Sequence, residues 1–304
     1  MDGFEGFEAR RFNVNGVQIA ARVGGRTGAP PLLLLHGFPQ SHVMWRRVAR
    51  LLADDHRLVL ADLRGYGDSS KLGGDADHAA HSKRAMAQDM VALMAQLGHA
   101  RFGLVGHDRG GRVAHRLALD HAERVSRLCV IDIAPTLDMY AATDMRFATA
   151  YYHWFHLIQP APLPERSIGA DPTFYLHWKL GGWGAGGLGH IEPLALAEYE
   201  RCFGTPEAIH SACEDYRASA GIDLEHDRAA RAAGHKIACD MLVLWGERGV
   251  VQRLFDPLAL WQAQCAARAT GIALPAGHYI PEEQPVLTAQ ALRIFFGTGG
   301  QSPV

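Results

Sequence analysis

Five short apolar runs punctuate the chain: PLLLLHG from Pro31, RLVLADL from Arg57, FGLVGHD from Phe102, LCVIDIA from Leu128 and MLVLWGE from Met241. Each is too short for a helix and continuous rather than alternating, the pattern of a strand buried on both faces of a parallel sheet. Between the first four lie amphipathic segments at 41–54, 83–97 and 110–120, which predict helices. Strand and helix alternating in this way predict an α/β fold with right-handed crossovers. At the N-terminal end, RRFNVNGVQIAARVGG reads as two alternating strands joined by a tight turn at Asn15-Gly16. GIALPAGH and a helix from Glu282 are expected to close the sheet.

The rhythm breaks after Pro135. From about 137 to 234 the strand-like runs vanish, replaced by aromatic-rich helical stretches such as YYHWFHLI, FYLHWKL, EYERCF and CEDYRA. The glycine-rich GGWGAGGLGH among them reads as a mobile loop. The expected organisation is a core in two parts, 1–136 and 236–304, with a helical cap at 137–235. No internal repeat or long low-complexity tract is visible.

Composition narrows the function classes. The chain has 304 residues, 48% hydrophobic and 20% charged, with a formal net charge of −2, so neither nucleic acid nor an anionic membrane is an expected partner. The apolar runs are well short of the roughly 20 residues a membrane-spanning helix needs. Five cysteines, never in C-x-x-C, favour reduced thiols, and MDGFEGFEARR lacks a signal-peptide core; a cytoplasmic location is expected. The 17 histidines are scattered without zinc-site spacing, so no metal is expected.

Candidate chemistry centres on GHDRGGR, residues 106–112. This is the frame of the G-x-S-x-G nucleophile elbow with Asp108 in place of serine. The plainer alternative is a helix N-cap, where aspartate is favoured. A carboxylate at an elbow needs no deprotonation and can displace a leaving group from saturated carbon to form an ester. A histidine can then direct water at that ester. Oxyanion donors are expected from the backbone N–H of Arg109 and from the loop near Phe38. His278, in PAGHYI after the last strand run, is the candidate base. Its orienting acid is expected to be Asp132, with Glu247 as the alternative. His36 and His107 read as structural.

Arg109 and Arg112 lie three apart at a helix start, so they share a face. Placed beside the nucleophile, they are expected to hold a substrate carboxylate in forked hydrogen bonds, which selects a 2-haloacid such as haloacetate. Arg116 reads as part of a solvated face.

HGFPQSHVMW, DLRGYGDSS, GHDRGGR, IDIAPT, YYHWF, QPAPLPE, CEDYRA and AGHYIPEE together resemble the fluoroacetate dehalogenases of the α/β-hydrolase superfamily, over nearly the whole chain. The resemblance implies conversion of fluoroacetate and water to glycolate and fluoride without a cofactor. It implies Asp108 as nucleophile, His278 as base, Asp132 as its partner, and Arg109 and Arg112 as carboxylate clamp. It further implies a halide pocket of His153, Trp154 and Tyr216, a wall residue at Trp183, and a homodimer. The alternatives are an epoxide hydrolase or haloalkane dehalogenase of the same fold, or a small-molecule receptor. Neutral-substrate relatives often carry tryptophan where this chain has Arg109.

Overall fold

The computed structural model describes residues 3–183 and 186–297. Its strands are β1 (Glu8–Val14), β2 (Val17–Gly25), β3 (Pro31–Leu35), β4 (Arg57–Ala61), β5 (Phe102–His107), β6 (Val125–Ile131), β7 (Met241–Gly246) and β8 (Ala269–Leu274). They form one sheet in the order β1-β2-β4-β3-β5-β6-β7-β8. From β4 onwards in that order the pairing is parallel; β2 runs antiparallel to both β1 and β4. At the β1–β2 turn, Asn15 and Gly16 both take positive φ, 46° and 79°, as a two-residue hairpin of this twist requires. Leu32 to Leu35 are all but fully buried, because helices cover both faces of the central strands.

The helices of the first half are α1 (Arg46–Leu52), α2 (Lys83–Gln96) and α3 (Arg109–Asp120). The expected single helix at 41–54 is instead a 3-10 turn, His42–Trp45, followed by α1. Ser41 starts that turn by accepting a hydrogen bond from the Val43 N–H. Between β6 and β7 the chain runs through α4 (Thr136–Ala141), α5 (Met145–Ala150), α6 (Tyr152–Leu157), α7 (Leu163–Gly169), α8 (Pro172–Trp183), α9 (Pro193–Phe203), α10 (Pro206–Ala220) and α11 (Ile222–Ala232). After β7 come α12 (Val250–Leu254), α13 (Pro257–Gln264), α14 (Ile280–Glu283) and α15 (Pro285–Phe296).

Two local expectations are corrected. The glycine-rich stretch is not simply a loop: Gly181 to Trp183 complete α8, anchored by buried Leu176 and Leu180, and Gly187–His190 is a 3-10 turn. Gly184 and Ala185, also in that stretch, lie outside the described residues. The last helix does not run on from Glu282, because Pro285 has no N–H to continue α14 but suits the first position of a new helix.

The chain order positions the site. It passes from β3 to β4 on one side and then crosses to β5 on the other, so the order reverses between β3 and β5. The carboxyl ends of the strands at such a reversal are where α/β sheets hold ligands. Gly37-Phe38 follows β3 and Asp108 follows β5.

Gly106 and Gly110 let α3 approach closely enough. A Cβ on Gly110 would lie 2.4 Å from the His36 carbonyl oxygen, and one on Gly106 would lie 2.4 Å from the Gly110 oxygen. These obstacles are backbone and cannot rotate away. Gly110→Val is therefore expected to destabilise the protein by about 2–3 kcal/mol through overpacking, read as a lower urea midpoint.

Candidate active site

Asp108 sits at the β5–α3 corner with φ 47° and ψ −114°, a conformation that costs a non-glycine residue about 1–3 kcal/mol. It makes no side-chain capping bond to α3, so the N-cap alternative fails. Instead Oδ1 accepts a 2.9 Å hydrogen bond from the Phe38 N–H, and Oδ2 lies 3.9 Å from His278 Nε2. The backbone N–H of Arg109 opens α3, where a helix has no internal acceptor to offer.

His278 and Asp132 meet as expected. His278 Nδ1 lies 2.6 Å from Asp132 Oδ2, while Asp132 Oδ1 accepts the Gly246 N–H at 3.0 Å. With Nδ1 donating to a carboxylate, Nε2 keeps its lone pair, and this buried atom has no partner. Glu247, the alternative acid, is exposed. A Cβ on Gly249 would come within 3.1 Å of Asp132 Oδ1, so position 249 borders the same space. The backbone of His278 is pinned from both sides: its N–H donates to the Trp183 oxygen at 2.8 Å, and its oxygen accepts from His107 Nε2 at 2.9 Å. His107 thus has a structural place, as does His36, whose Nε2 accepts the Leu63 N–H at 3.1 Å.

Burial would push the Asp108 carboxyl up, but the charges of His278, His107, Arg109 and Arg112 outweigh it and leave its pKa below the usual value. Burial disfavours the His278 imidazolium, yet the bond and charge of Asp132, with the charge of Asp108, raise its pKa above 6.5.

Both arginines are buried beside Asp108, but not as two open forks. Arg109 donates from Nε and Nη2 to the Asp215 carboxylate at 2.8 Å each, and from Nη2 to the Asp215 backbone oxygen at 3.0 Å and to Ser219 Oγ. Arg112 Nη1 donates to Thr136 Oγ1 at 2.8 Å and to the Ala134 oxygen at 3.2 Å. The buried nitrogens left without partners are Arg109 Nη1 and Arg112 Nε, one from each. Asp215 occupies the fork that Nε and Nη2 of Arg109 form. Arg116 is not solvated: it is buried against Asp120 and Asp227.

The aromatic candidates come from α6, α8 and α10. The rings of His153 and Tyr216 lie 5.5 Å apart, and Phe38 packs against both. His153 Nδ1 and the Tyr216 hydroxyl are buried without partners. Burial, then the charge of Asp108, pushes the Tyr216 hydroxyl well above its usual pKa, so it remains a proton donor. Burial, then the charge of Lys179, holds His153 well below 6.5 and therefore neutral. The Arg112 guanidinium lies 4.7 Å over the ring of Trp154. Trp183 joins the two halves of the site, 4.3 Å from the His153 ring and 5.5 Å from that of His278.

The family model of the α/β hydrolase fold matches residues 30–285. The chain belongs to that family. A fluoroacetate dehalogenase from a Burkholderia sp is 49% identical over 292 residues, 96% of this chain and 94% of that protein. A soluble epoxide hydrolase from Corynebacterium sp. (strain C12) is 32% identical over 88% of this chain and 90% of its own. Among solved structures, an α/β hydrolase from Nostoc sp PCC 7120 superposes with a TM-score of 0.94 at 51% identity, covering 97% of this chain and 100% of that one.

In this α/β hydrolase, sequence reasoning missed the layer behind Arg109. Asp215 also accepts from the Tyr66 hydroxyl at 2.6 Å and from Lys83 Nζ, and Asp223 lies 3.3 Å from that same nitrogen. The signal was an acid directly before Tyr216 with Ser219 one helical turn on. Its partner, more than a hundred residues away, was not legible. Among the described residues no cluster of His, Cys, Asp or Glu could hold a metal ion, and no helix is long and apolar enough to cross a membrane.

Asp132→Asn removes the charge that raises the His278 pKa. The variant imidazole is expected to titrate at lower pH than the wild-type one in a histidine NMR titration. In the wild type, the neutral, proton-accepting form should disappear as pH falls through a value above 6.5.

Proposed function

We propose that this protein is a haloacetate dehalogenase that converts fluoroacetate and water to glycolate and fluoride. The observation that carries the reading is a carboxylate at the β5–α3 corner, Asp108, buried beside two guanidiniums that each keep one unpartnered nitrogen. An anionic substrate with its reacting carbon next to a carboxylate suits that arrangement; a neutral one leaves the buried N–H groups unmet. The 49% identity to a fluoroacetate dehalogenase supports it.

In the first step Asp108 Oδ2 attacks the methylene carbon while Arg109 Nη1 and Arg112 Nε hold the substrate carboxylate. The carbon–halogen bond breaks with its electron pair leaving on the halide. Tyr216, Trp154 and His153 are the proposed donors to that ion, each worth about 1.5–3 kcal/mol against developing charge. In the second step His278 Nε2 takes a proton from water, and the resulting hydroxide attacks the ester carbonyl of Asp108. The 3.9 Å gap from Nε2 to Oδ2 is too long for a direct bond, so the base stays free for water. Charge then gathers on Oδ1, where the Phe38 N–H already donates. Collapse breaks the bond between Oδ2 and the ester carbonyl carbon; glycolate leaves with the proton held on His278, and the remaining carboxyl proton passes to solvent, restoring the Asp108 carboxylate. In this reading 137–235 is a cap over the core formed by 1–136 and 236–304.

An epoxide hydrolase is the second reading, favoured by the 32% identical relative and by the unpartnered Tyr216 hydroxyl, which would protonate an epoxide oxygen. Fluoride release from fluoroacetate, followed with an ion-selective electrode, tests the first reading; no excess over Asp108→Ala would end it. His278→Asn is expected to stall after alkylation, leaving a carboxymethyl ester on Asp108 that peptide mass detects.

A further inference from the structure

The side-on fork of Arg109, formed by Nε and Nη2, faces Asp215 with both bonds at 2.8 Å, and Ser219 and the Asp215 backbone oxygen take what remains of Nη2. The guanidinium lies 4.1 Å over the ring of Tyr216, the next residue on α10. One edge and one face of Arg109 are therefore fixed by consecutive residues of a single helix, and only Nη1 is uncommitted. Asp215 is fully buried and is met on its far side by Lys83 Nζ and the Tyr66 hydroxyl. Lys83 answers the Asp215 charge in turn, so that Asp215 can fix Arg109 without cancelling its positive charge.

We propose that Asp215, backed by Lys83 and joined on Arg109 by Ser219, is the positioning residue that turns Arg109 Nη1 toward the substrate carboxylate and so sets selectivity for anionic over neutral substrates. The inference rests on the function proposed above for the identity of the substrate. A guanidinium with a free stem has many rotamers; one whose side-on fork is occupied presents its opposite nitrogen in a fixed direction. The substrate carboxylate then bridges two arginines, taking one nitrogen from each.

The test compares wild type, Asp215→Asn and Ser219→Ala in three measurements: acetate binding by calorimetry, turnover of chloroacetate, and turnover of neutral 2-chloroacetamide. Asp215→Asn is expected to weaken acetate binding and raise the chloroacetate KM about ten- to a hundredfold, the worth of a charged hydrogen bond. Its kcat should change less, and chloroacetamide turnover should stay near wild type. Ser219→Ala should fall between, and it carries the test if Asp215→Asn, which leaves Lys83 short of a partner, does not fold. Equal losses on chloroacetate and chloroacetamide would mean a structural role only and overturn the proposal, as would unchanged acetate binding in a folded variant. Asp215-dependent acetate binding by a wild type that releases no halide would sink the dehalogenase reading and leave the positioning role standing.

Discussion

Charge removed from water must be answered by opposite charge or by hydrogen bonds, and the interior of this protein is organised by that requirement. Asp108, Asp132, Asp215, Arg109, Arg112 and Lys83 are all buried. Leaving any one unanswered costs several kcal/mol, about 3–5 where a buried ion pair is broken. The result is a chain of compensation: Lys83 against Asp215, Asp215 against Arg109, Arg109 and Arg112 beside Asp108, and Asp108 near His278, which leans on Asp132. Around Asp108 it leaves several buried atoms unmet, among them Arg109 Nη1, Arg112 Nε, His278 Nε2, His153 Nδ1 and the Tyr216 hydroxyl. These atoms have bonding capacity to offer a ligand.

Two parts of the chain build this interior together. The sheet supplies Asp108, Asp132 and His278 from the carboxyl ends of its strands, and the helices between β6 and β7 supply His153, Trp154, Trp183, Asp215 and Tyr216. The parts are tied beside these residues. Trp183 accepts the His278 N–H, the Lys179 oxygen accepts the Tyr279 hydroxyl, and Tyr199 donates to Glu282 at 2.8 Å. A displacement of α8 or α10 would therefore be felt at once by His278 and by Arg109.

Local signals were reliable where they reflect short-range constraint. The strand runs, the Asn15-Gly16 turn and the glycine pattern around Asp108 each describe geometry set within a few residues. The misreadings share a cause. Arg116 looked solvated and Arg109 looked free because the carboxylates that bind them, Asp227 and Asp215, lie about a hundred residues downstream on other helices. Helix ends were misplaced where packing outweighed propensity, as at Gly181 and Gly182, or where proline reset the backbone, as at Pro285.

The sequence by itself determined the alternation of strand and helix, the corner on which Asp108 stands, and which residue types were available to attack, to accept a proton and to bind an anion. These follow from periodicity, from backbone freedom at glycine and from functional-group chemistry, all of which are properties of neighbours along the chain. Only the tertiary structure decided that Asp132 rather than Glu247 meets His278, and which nitrogen of each arginine stays uncommitted. Those outcomes depend on distances between groups far apart in sequence, where a shift of an ångström or two decides whether a donor is spent on the protein or kept for a ligand.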